Sequence, residues 1–150
     1  VNPRRRGFVQ GLMVAFCVLT PVFLVAGHLA TAPDYTLSDG EWATLQWLRE
    51  DGRPNVVVLC TPRMGLFVPA WAGQSVVYGH PFETANADER RVQVEAFWTG
   101  DMDAGEQKSF LQENDIRYVL AVSETEGLET GDWRLVIEAE DVRLYDTRSE

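Results

Sequence analysis

The feature that most constrains this chain is an uncharged, strongly apolar segment near its start. No charged residue occurs between Arg6 and Asp34, and Gly7–Ala30 reads GFVQGLMVAFCVLTPVFLVAGHLA. These 24 residues exceed the roughly 20 that a helix needs to cross the hydrocarbon core of a bilayer. The segment therefore predicts a transmembrane helix, in which Pro21 is tolerated.

The charges that flank the segment predict its orientation. Arg4–Arg6 precede it and Asp34 is the first charge after it. Basic flanks stay on the cytoplasmic side, so we expect the N-terminus in the cytoplasm and the rest of the chain outside, anchored in the cell membrane. Two alternatives remain open, a cleaved signal peptide ending near Ala30-Thr31-Ala32 and a buried core helix. The chain begins with Val, which favours a fragment of a longer protein.

The remainder of the chain has the size and charge of one acidic domain. The sequence predicts two parts, residues 1–33 with the basic flank, span and linker, and residues 34–150, about 115 residues of globular domain. Three of the 13 basic residues precede the span and all 23 acidic residues follow it, so the domain has a formal net charge of −13. Such a surface excludes nucleic acid and anionic lipid as general partners. Cys17 and Cys60 lie in different segments, so no disulfide is expected.

The order of predicted elements indicates an α/β fold. Ser38 and Glu41 have the spacing of a capping box, so a helix is expected to begin at Ser38 and to end at Asp51-Gly52. The other predictions are a strand at Val56–Cys60, a loop at Thr61–Gly73, a strand at Ser75–Tyr78, helices at Ala87–Trp98 (capped by Asn86) and Gly105–Glu113, a strand at Ile116–Val122, and a hairpin of Trp133–Glu138 with Val142–Asp146. Mixed helices and strands predict a small α/β sandwich with a mixed sheet.

Candidate ligand-binding residues gather in one stretch, Thr61–Thr84. It follows the first strand at its carboxyl end, where open α/β sheets bind ligands. The stretch contains Gln74 among its hydrogen-bonding side chains, and the residues proposed to bind a ligand are Arg63, Trp71, Tyr78, His80, Glu83 and Thr84. Aromatic faces next to hydrogen-bonding groups suit a sugar or a polar lipid headgroup. The alternative is that the Pro and Gly residues only shape loops and the aromatic side chains belong to the core.

Other chemistry has less support in the sequence. His80 and Glu83 are three residues apart, but nothing in the spacing of the carboxylates selects further metal ligands, so no metal is expected. There is no P-loop, no G-x-G-x-x-G and no G-x-S-x-G, and Ser75 stands in AGQSVV instead. The sequence thus predicts no cofactor and no catalytic residue in this chain. Trp42 and Trp98 are expected in the core, and Trp47 is expected to be exposed.

The pattern as a whole resembles a known family. An apolar span followed by YTLSDGEWATLQWLRE, the strand VVVLC and PAWAGQSVVYGHPFET is similar to the C-terminal end of bacterial polytopic GT-C-type glycosyltransferase-like membrane proteins. The resemblance implies that the chain is the last span and the extracytoplasmic domain of such a protein. It also implies that the catalytic acid lies in an earlier loop outside this chain. The partners implied are the lipid bilayer, other membrane helices and a sugar or polyprenyl-phosphate ligand.

Two further hypotheses stay open at this point. The chain could be a stand-alone membrane-anchored module that binds a ligand or a protein without catalysis. It could also be a structural domain that docks on membrane helices, in which case Gly79–Thr84 is a packing motif.

Overall fold

The computed structural model describes residues 16, 17, 19–25, 27, 36–122, 128, 130–139 and 141–148. The chain divides into two compact units, Val1–Thr36 and Leu37–Glu150. The described residues of the first unit are helical apart from Thr36, and most of the predicted span Gly7–Ala30 and its linker lies outside the described residues. Among the residues described, no helix has both the length and the apolar character that a bilayer crossing requires.

The second unit is built on a five-stranded mixed sheet, as predicted. Its strands are β1 (Val57–Cys60), β2 (Ser75–Val76), β3 (Ile116–Val122), β4 (Arg134–Ala139) and β5 (Val142–Asp146). Their order across the sheet is β2-β1-β3-β5-β4. β1 runs parallel to β2 and β3, whereas β5 is antiparallel to both β3 and β4. The predicted hairpin is therefore confirmed.

Helices cover both faces of this sheet. The helices are α1 (Asp39–Glu50), α2 (Ala87–Thr99) and α3 (Ala104–Glu113). Because successive side chains of a strand point to opposite faces, β1 contributes to two cores. Val58 and Cys60 pack in a first core that includes Leu48 of α1, and Leu59 packs in a second core that includes Phe97 of α2 and Phe110 of α3.

Helix α1 begins as the sequence predicts. The Ser38 side chain accepts a hydrogen bond from the Glu41 backbone N–H, and the Glu41 carboxylate accepts one from the Ser38 backbone N–H. Both halves of the capping box are thus present, and they satisfy two backbone donors that a helix start leaves unpaired.

Three local predictions need correction. The predicted loop at Thr61–Gly73 contains a 3₁₀ turn, Met64–Leu66, and a π-helical turn, Val68–Ala72. The second strand covers only Ser75–Val76. Asn86 precedes α2 in a left-handed conformation with φ of 54° and makes no side-chain cap, whereas Asp103 forms a full capping box with Glu106 at the start of α3. The turns, the short strand and the left-handed Asn86 depend on backbone angles that apolar periodicity does not encode, whereas the Asp103–Glu106 spacing is itself a capping-box signal in the sequence.

The burial of two tryptophans was also predicted wrongly. Trp42 is 39% exposed, whereas Trp47 is half-buried against the ring of Tyr118 at 5.8 Å. The buried face of α1 consists of Glu41, Thr44, Leu45 and Leu48. Because the paired carboxylate of Glu41 occupies one of these buried positions, a buried face predicted from the apolar residues alone is rotated away from the observed one.

Cys60 gives a first testable prediction. The thiol is 2% exposed, and burial raises its pKa from the ordinary 9.0 to about 12. In the segment 37–150, where Cys60 is the only cysteine, we expect no reaction with a disulfide reagent at pH 8 in the folded state. One equivalent should react in guanidinium chloride.

The same shift predicts a pH dependence of stability. Above pH 9 the unfolded thiolate forms while the folded thiol keeps its proton, so the free energy of unfolding falls as pH rises toward 12. The slope from this group approaches about 1.4 kcal/mol per pH unit. In Cys60→Ala the free energy of unfolding should fall less steeply with pH. Denaturant titrations of both proteins between pH 8 and 11 measure the two slopes. Equal slopes in the two proteins would contradict the assignment.

Candidate functional site

The segment that joins β1 to α2 folds back against the end of β1 in a compact form. Its 3₁₀ and π-helical turns end at Gly73, which has a φ of 68° in the left-handed region. Gly65 and Gly79 then meet backbone to backbone: a Cβ added at Gly65 would lie 2.2 Å from the Tyr78 carbonyl oxygen and 3.1 Å from the Gly79 Cα. The structure therefore brings the two halves of the predicted ligand stretch together at these glycines.

Arg63 is engaged inside the protein. Its guanidinium forms two parallel hydrogen bonds to the Glu41 carboxylate, Nη1 to Oε1 at 2.6 Å and Nη2 to Oε2 at 2.9 Å. The Glu41 side chain is only 5% exposed, and the Arg63 side chain 30%. Such a two-point pair compensates the cost of burying the carboxylate. The same carboxylate caps α1, so Arg63 ties this segment to the start of the helix.

Trp71 lies on the surface, in contact with Trp42 of α1. The ring centroids are 5.2 Å apart and the planes meet at 77°, an edge-to-face arrangement. Trp71 is 49% exposed, and Leu66 on the same segment is 37% exposed. No charged residue occurs from Met64 to Gly79. The contacting rings of Trp42 and Trp71, with the exposed Leu66 of the same uncharged segment, are here called the tryptophan surface.

Gln74 connects the segment that carries Trp71 to the C-terminal end of α1. Its amide is buried, with Nε2 donating to the carbonyl oxygens of Leu48 (3.2 Å) and Arg53 (3.1 Å), and with Oε1 accepting from the Val56 N–H at 3.2 Å. The carbonyl of Leu48 is one of those that a helix end leaves without an intrahelical partner. Gln74 therefore fixes the segment to the C-terminal end of α1, as Arg63 does to its start.

The stretch Gly79–Thr84 forms a closed turn. The Gly79 N–H donates to the Thr84 hydroxyl oxygen at 3.2 Å, and the His80 carbonyl oxygen accepts from the N–H groups of Glu83 (3.1 Å) and Thr84 (3.0 Å). The N–H of Phe82 donates to Nδ1 of His80 at 3.3 Å. The short polar side chains of this motif thus satisfy backbone groups, and the Phe82 ring is 92% exposed at the tip.

The predicted ligand residues divide into separate groups. Arg63 and Trp71 contact α1, whereas Tyr78 is 8% exposed and packs in the second core, with α2 and α3. His80 and Glu83 are exposed and Thr84 is half-buried in the turn. Trp71 and Tyr78 therefore do not share a layer of the fold. Within the described part of the chain, no three His, Cys, Asp or Glu side chains are placed to hold a metal ion.

Sequence reasoning missed two members of this region, Glu41 and Trp42. A carboxylate at the third helical position indicates a capping box, but it gives no sign that an arginine 22 residues later uses the same carboxylate. The signal available for Trp42 was its place beside that carboxylate. Because Glu41 lies on the buried face of α1, the next residue, Trp42, lies at the edge of that face and is partly exposed.

Comparison with known proteins gives a likeness of fold. The chain matches no protein-family model and no curated protein sequence. Among solved structures, it is similar to the C-terminal globular domain of an oligosaccharyltransferase from Archaeoglobus fulgidus, with a TM-score of 0.59 and 14% sequence identity. The match covers 75% of this chain and 99% of that domain. At this identity the likeness shows a shared fold.

Proposed function

We propose that this chain is the C-terminal accessory domain, with the preceding span, of a GT-C-type glycosyltransferase-like membrane protein. The observation that carries the proposal is the fold likeness to an oligosaccharyltransferase C-terminal domain, which extends over nearly all of that domain. The apolar stretch before the domain supports membrane attachment, with the N-terminus in the cytoplasm and the domain outside. Catalysis would then belong to the membrane-embedded part of the longer protein.

The tryptophan surface supports a docking role for the domain. Exposed indole rings combine a large apolar face with a polar N–H, the combination that is enriched at interfaces. Arg63, the arginine of the segment, is already paired with Glu41, so docking would not leave its charge unpaired. We therefore propose that Trp42, Leu66 and Trp71 pack against the membrane helices of the same polypeptide.

A ligand role for the predicted residues remains a proposal with a narrower basis. Trp71, His80 and Glu83 are accessible to a sugar or a polyprenyl-phosphate headgroup. Arg63 would have to give up Glu41 to pair with a phosphate, and Tyr78 would have to leave the second core. Docking is therefore better supported by this geometry than ligand binding at these six positions.

The first experiment concerns the size of the native protein. An antibody raised against residues 37–150 should detect, in washed membranes of the source organism, a polypeptide far larger than the 16.9 kDa of this chain. External protease should remove the epitope from intact spheroplasts. A membrane band near 17 kDa would instead favour a stand-alone anchored module without catalysis.

The second experiment tests docking in that larger protein. A photoreactive benzoylphenylalanine in place of Trp71 should cross-link to membrane helices of the same polypeptide, because the side chain lies on the proposed interface. The same residue in place of Val92, which is 58% exposed on α2, is the matched control and should give no such product. Equal products at both positions, or adducts with lipid alone at position 71, would exclude the docking surface. Peptide mass spectrometry identifies the adducts.

A further inference from the structure

A groove of about 520 Å³ lies beside α3, on the opposite side of the sheet from α1. One wall is a stripe of α3, spaced as one face of a helix. The opposite wall comes from the turn before β4 and the residues after β5. Its polar and aromatic lining residues include Lys108, Gln112, Asp132, Trp133, Thr147 and Arg148. Its volume suits a ligand of small-molecule size.

The groove is lined by two cations, Lys108 and Arg148, in a strongly acidic domain, and by one carboxylate, Asp132. Lys108 is the only lysine of the chain; it is exposed, and no carboxylate of the described residues pairs with it. Arg148 stands on the opposite wall, where its guanidinium pairs with Asp115. That pair is exposed on both sides, 51% for Arg148 and 82% for Asp115, so it contributes little and can be exchanged for another anion.

The groove also offers an aromatic wall and an apolar floor. Trp133 is half-buried, and its ring is held by an edge contact with Tyr145, with ring centroids 6.0 Å apart. Its backbone N–H donates to the Thr130 carbonyl oxygen at 2.8 Å. Leu111 and Ile116 are buried and line the floor. A fixed indole of this kind stacks on a flat apolar ring face without losing much conformational freedom.

The remaining polar groups suit hydroxyl groups rather than a second anion. The Gln112 amide is exposed on α3, and the Thr147 hydroxyl donates to the Ile116 carbonyl at 2.9 Å, which leaves its lone pairs available as acceptors. Asp132 also lines the groove and accepts hydrogen bonds. Its negative charge would oppose a ligand with several anionic groups. The lining therefore matches one anionic group, one ring and several hydroxyls.

We infer that this groove binds an acidic monosaccharide, a pyranose carrying one carboxylate or phosphate. The anionic group lies between Lys108 and Arg148, the ring packs on Trp133, and Gln112 and Thr147 receive hydroxyl groups. The inference is independent of the proposed function, because the groove and the tryptophan surface are on opposite faces of the sheet. Failure of one leaves the other standing.

The test uses the full chain in lipid nanodiscs with 5-fluorotryptophan in place of its five tryptophans. Five ¹⁹F resonances are assigned from single Trp→Phe variants. Glucuronate and glucose 6-phosphate should each move the Trp133 resonance and leave that of Trp71 unchanged. Glucose should bind at least about tenfold more weakly, because a charge-assisted hydrogen bond is lost. The comparison between the two acidic sugars distinguishes a carboxylate from a phosphate as the preferred anion.

Variants connect the binding to the charge in the groove. Lys108→Gln should weaken acidic-sugar binding by about tenfold or more, because the ammonium is one of the two cations that face the anion. Arg91→Gln, which removes an exposed cation of α2 outside the groove, is the matched control and should bind within about twofold of the unaltered chain. Unchanged dispersion of the other four resonances shows that each variant is folded.

Several results would overturn the inference. One is a Trp133 resonance that neither acidic sugar moves. Another is glucose binding as tightly as glucuronate, which would remove the role of the charge. A third is inorganic phosphate moving Trp133 as glucose 6-phosphate does and with the same affinity, which would indicate an anion site without sugar recognition. Full binding by folded Lys108→Gln would also exclude it.

Discussion

Replacing Asp146 with asparagine should lower the free energy of unfolding by about 3–5 kcal/mol, the cost of breaking a buried ion pair from one side. Asp146 is 1% exposed, and its Oδ2 lies 2.7 Å from Nη2 of Arg117, whose side chain is 9% exposed. The Arg148 backbone N–H donates to the other carboxylate oxygen at 3.0 Å. Asparagine keeps the shape but removes the charge, so the Arg117 guanidinium is left buried without its counter-ion.

The neighbourhood offers Arg117 little compensation. Its Nε is buried and has no hydrogen-bond partner among the described residues. Arg134, 71% exposed and 3.4 Å from the same carboxylate, adds a second cation rather than an acceptor. The loss should therefore exceed what a surface pair would give.

Guanidinium chloride titration of residues 37–150, followed by tryptophan fluorescence, measures this loss. Glu138→Gln is the matched control, since it breaks the Arg143 pair in which both side chains are about 60% exposed. That control should cost no more than about 1 kcal/mol. A loss below about 1 kcal/mol for Asp146→Asn would show that Arg117 finds another partner.

A second large effect is expected from Gly65→Ala, which should cost about 3 kcal/mol. The new methyl group would lie 2.2 Å from the Tyr78 carbonyl oxygen and 3.1 Å from the Gly79 Cα. All the nearest atoms belong to the backbone, so no side chain can rotate to make room. The two segments would have to separate, and the 3₁₀ turn that carries Met64 and Leu66 would move with them.

Two measurements follow this change. The same titration gives the loss of stability, and acrylamide quenching of tryptophan fluorescence should increase as the edge contact between Trp42 and Trp71 opens. Gly105→Ala is the control within α3, where the new Cβ meets only the Asp103 carboxylate at 3.2 Å. It should change the free energy of unfolding by no more than about 1 kcal/mol, because the helix gain of alanine is opposed by its contact with the capping carboxylate of Asp103. Comparable losses in both variants would mean that backbone contact at Gly65 is not the cause.

The sheet could be predicted from the sequence because its strands carry a strong local pattern. VVVLC is continuous and apolar, the run from Ile116 to Val122 is apolar except for Arg117, and the last strand, Val142–Asp146, alternates. The start of α1 could be predicted for the same reason, because the capping box of Ser38 and Glu41 is a reciprocal pair of hydrogen bonds between residues only three positions apart.

The candidate sites could not be predicted as well, because their contacts connect distant parts of the chain. The Arg63–Glu41 pair spans 22 residues and the Arg148–Asp115 pair 33. Neither the pairing of Trp71 with Trp42 nor the placement of Trp133 and Lys108 along one groove leaves a periodic pattern in the sequence. The acidic composition even pointed away from the proposed anion site, since a net charge averages over the whole surface, whereas Lys108 and Arg148 line one groove.

The double use of the Glu41 carboxylate has a consequence for how this domain can diverge or be redesigned. One carboxylate closes the first turn of α1 and also holds the arginine of the segment that presents Trp71. A graft that exchanges residues 61–74 for another loop must bring its own arginine, or α1 is left with a buried acid and a weakened start. The segment and the helix should therefore be exchanged together in a redesign, and substitutions at the solvent-facing rings should cost less stability than substitutions at Glu41 or Arg63.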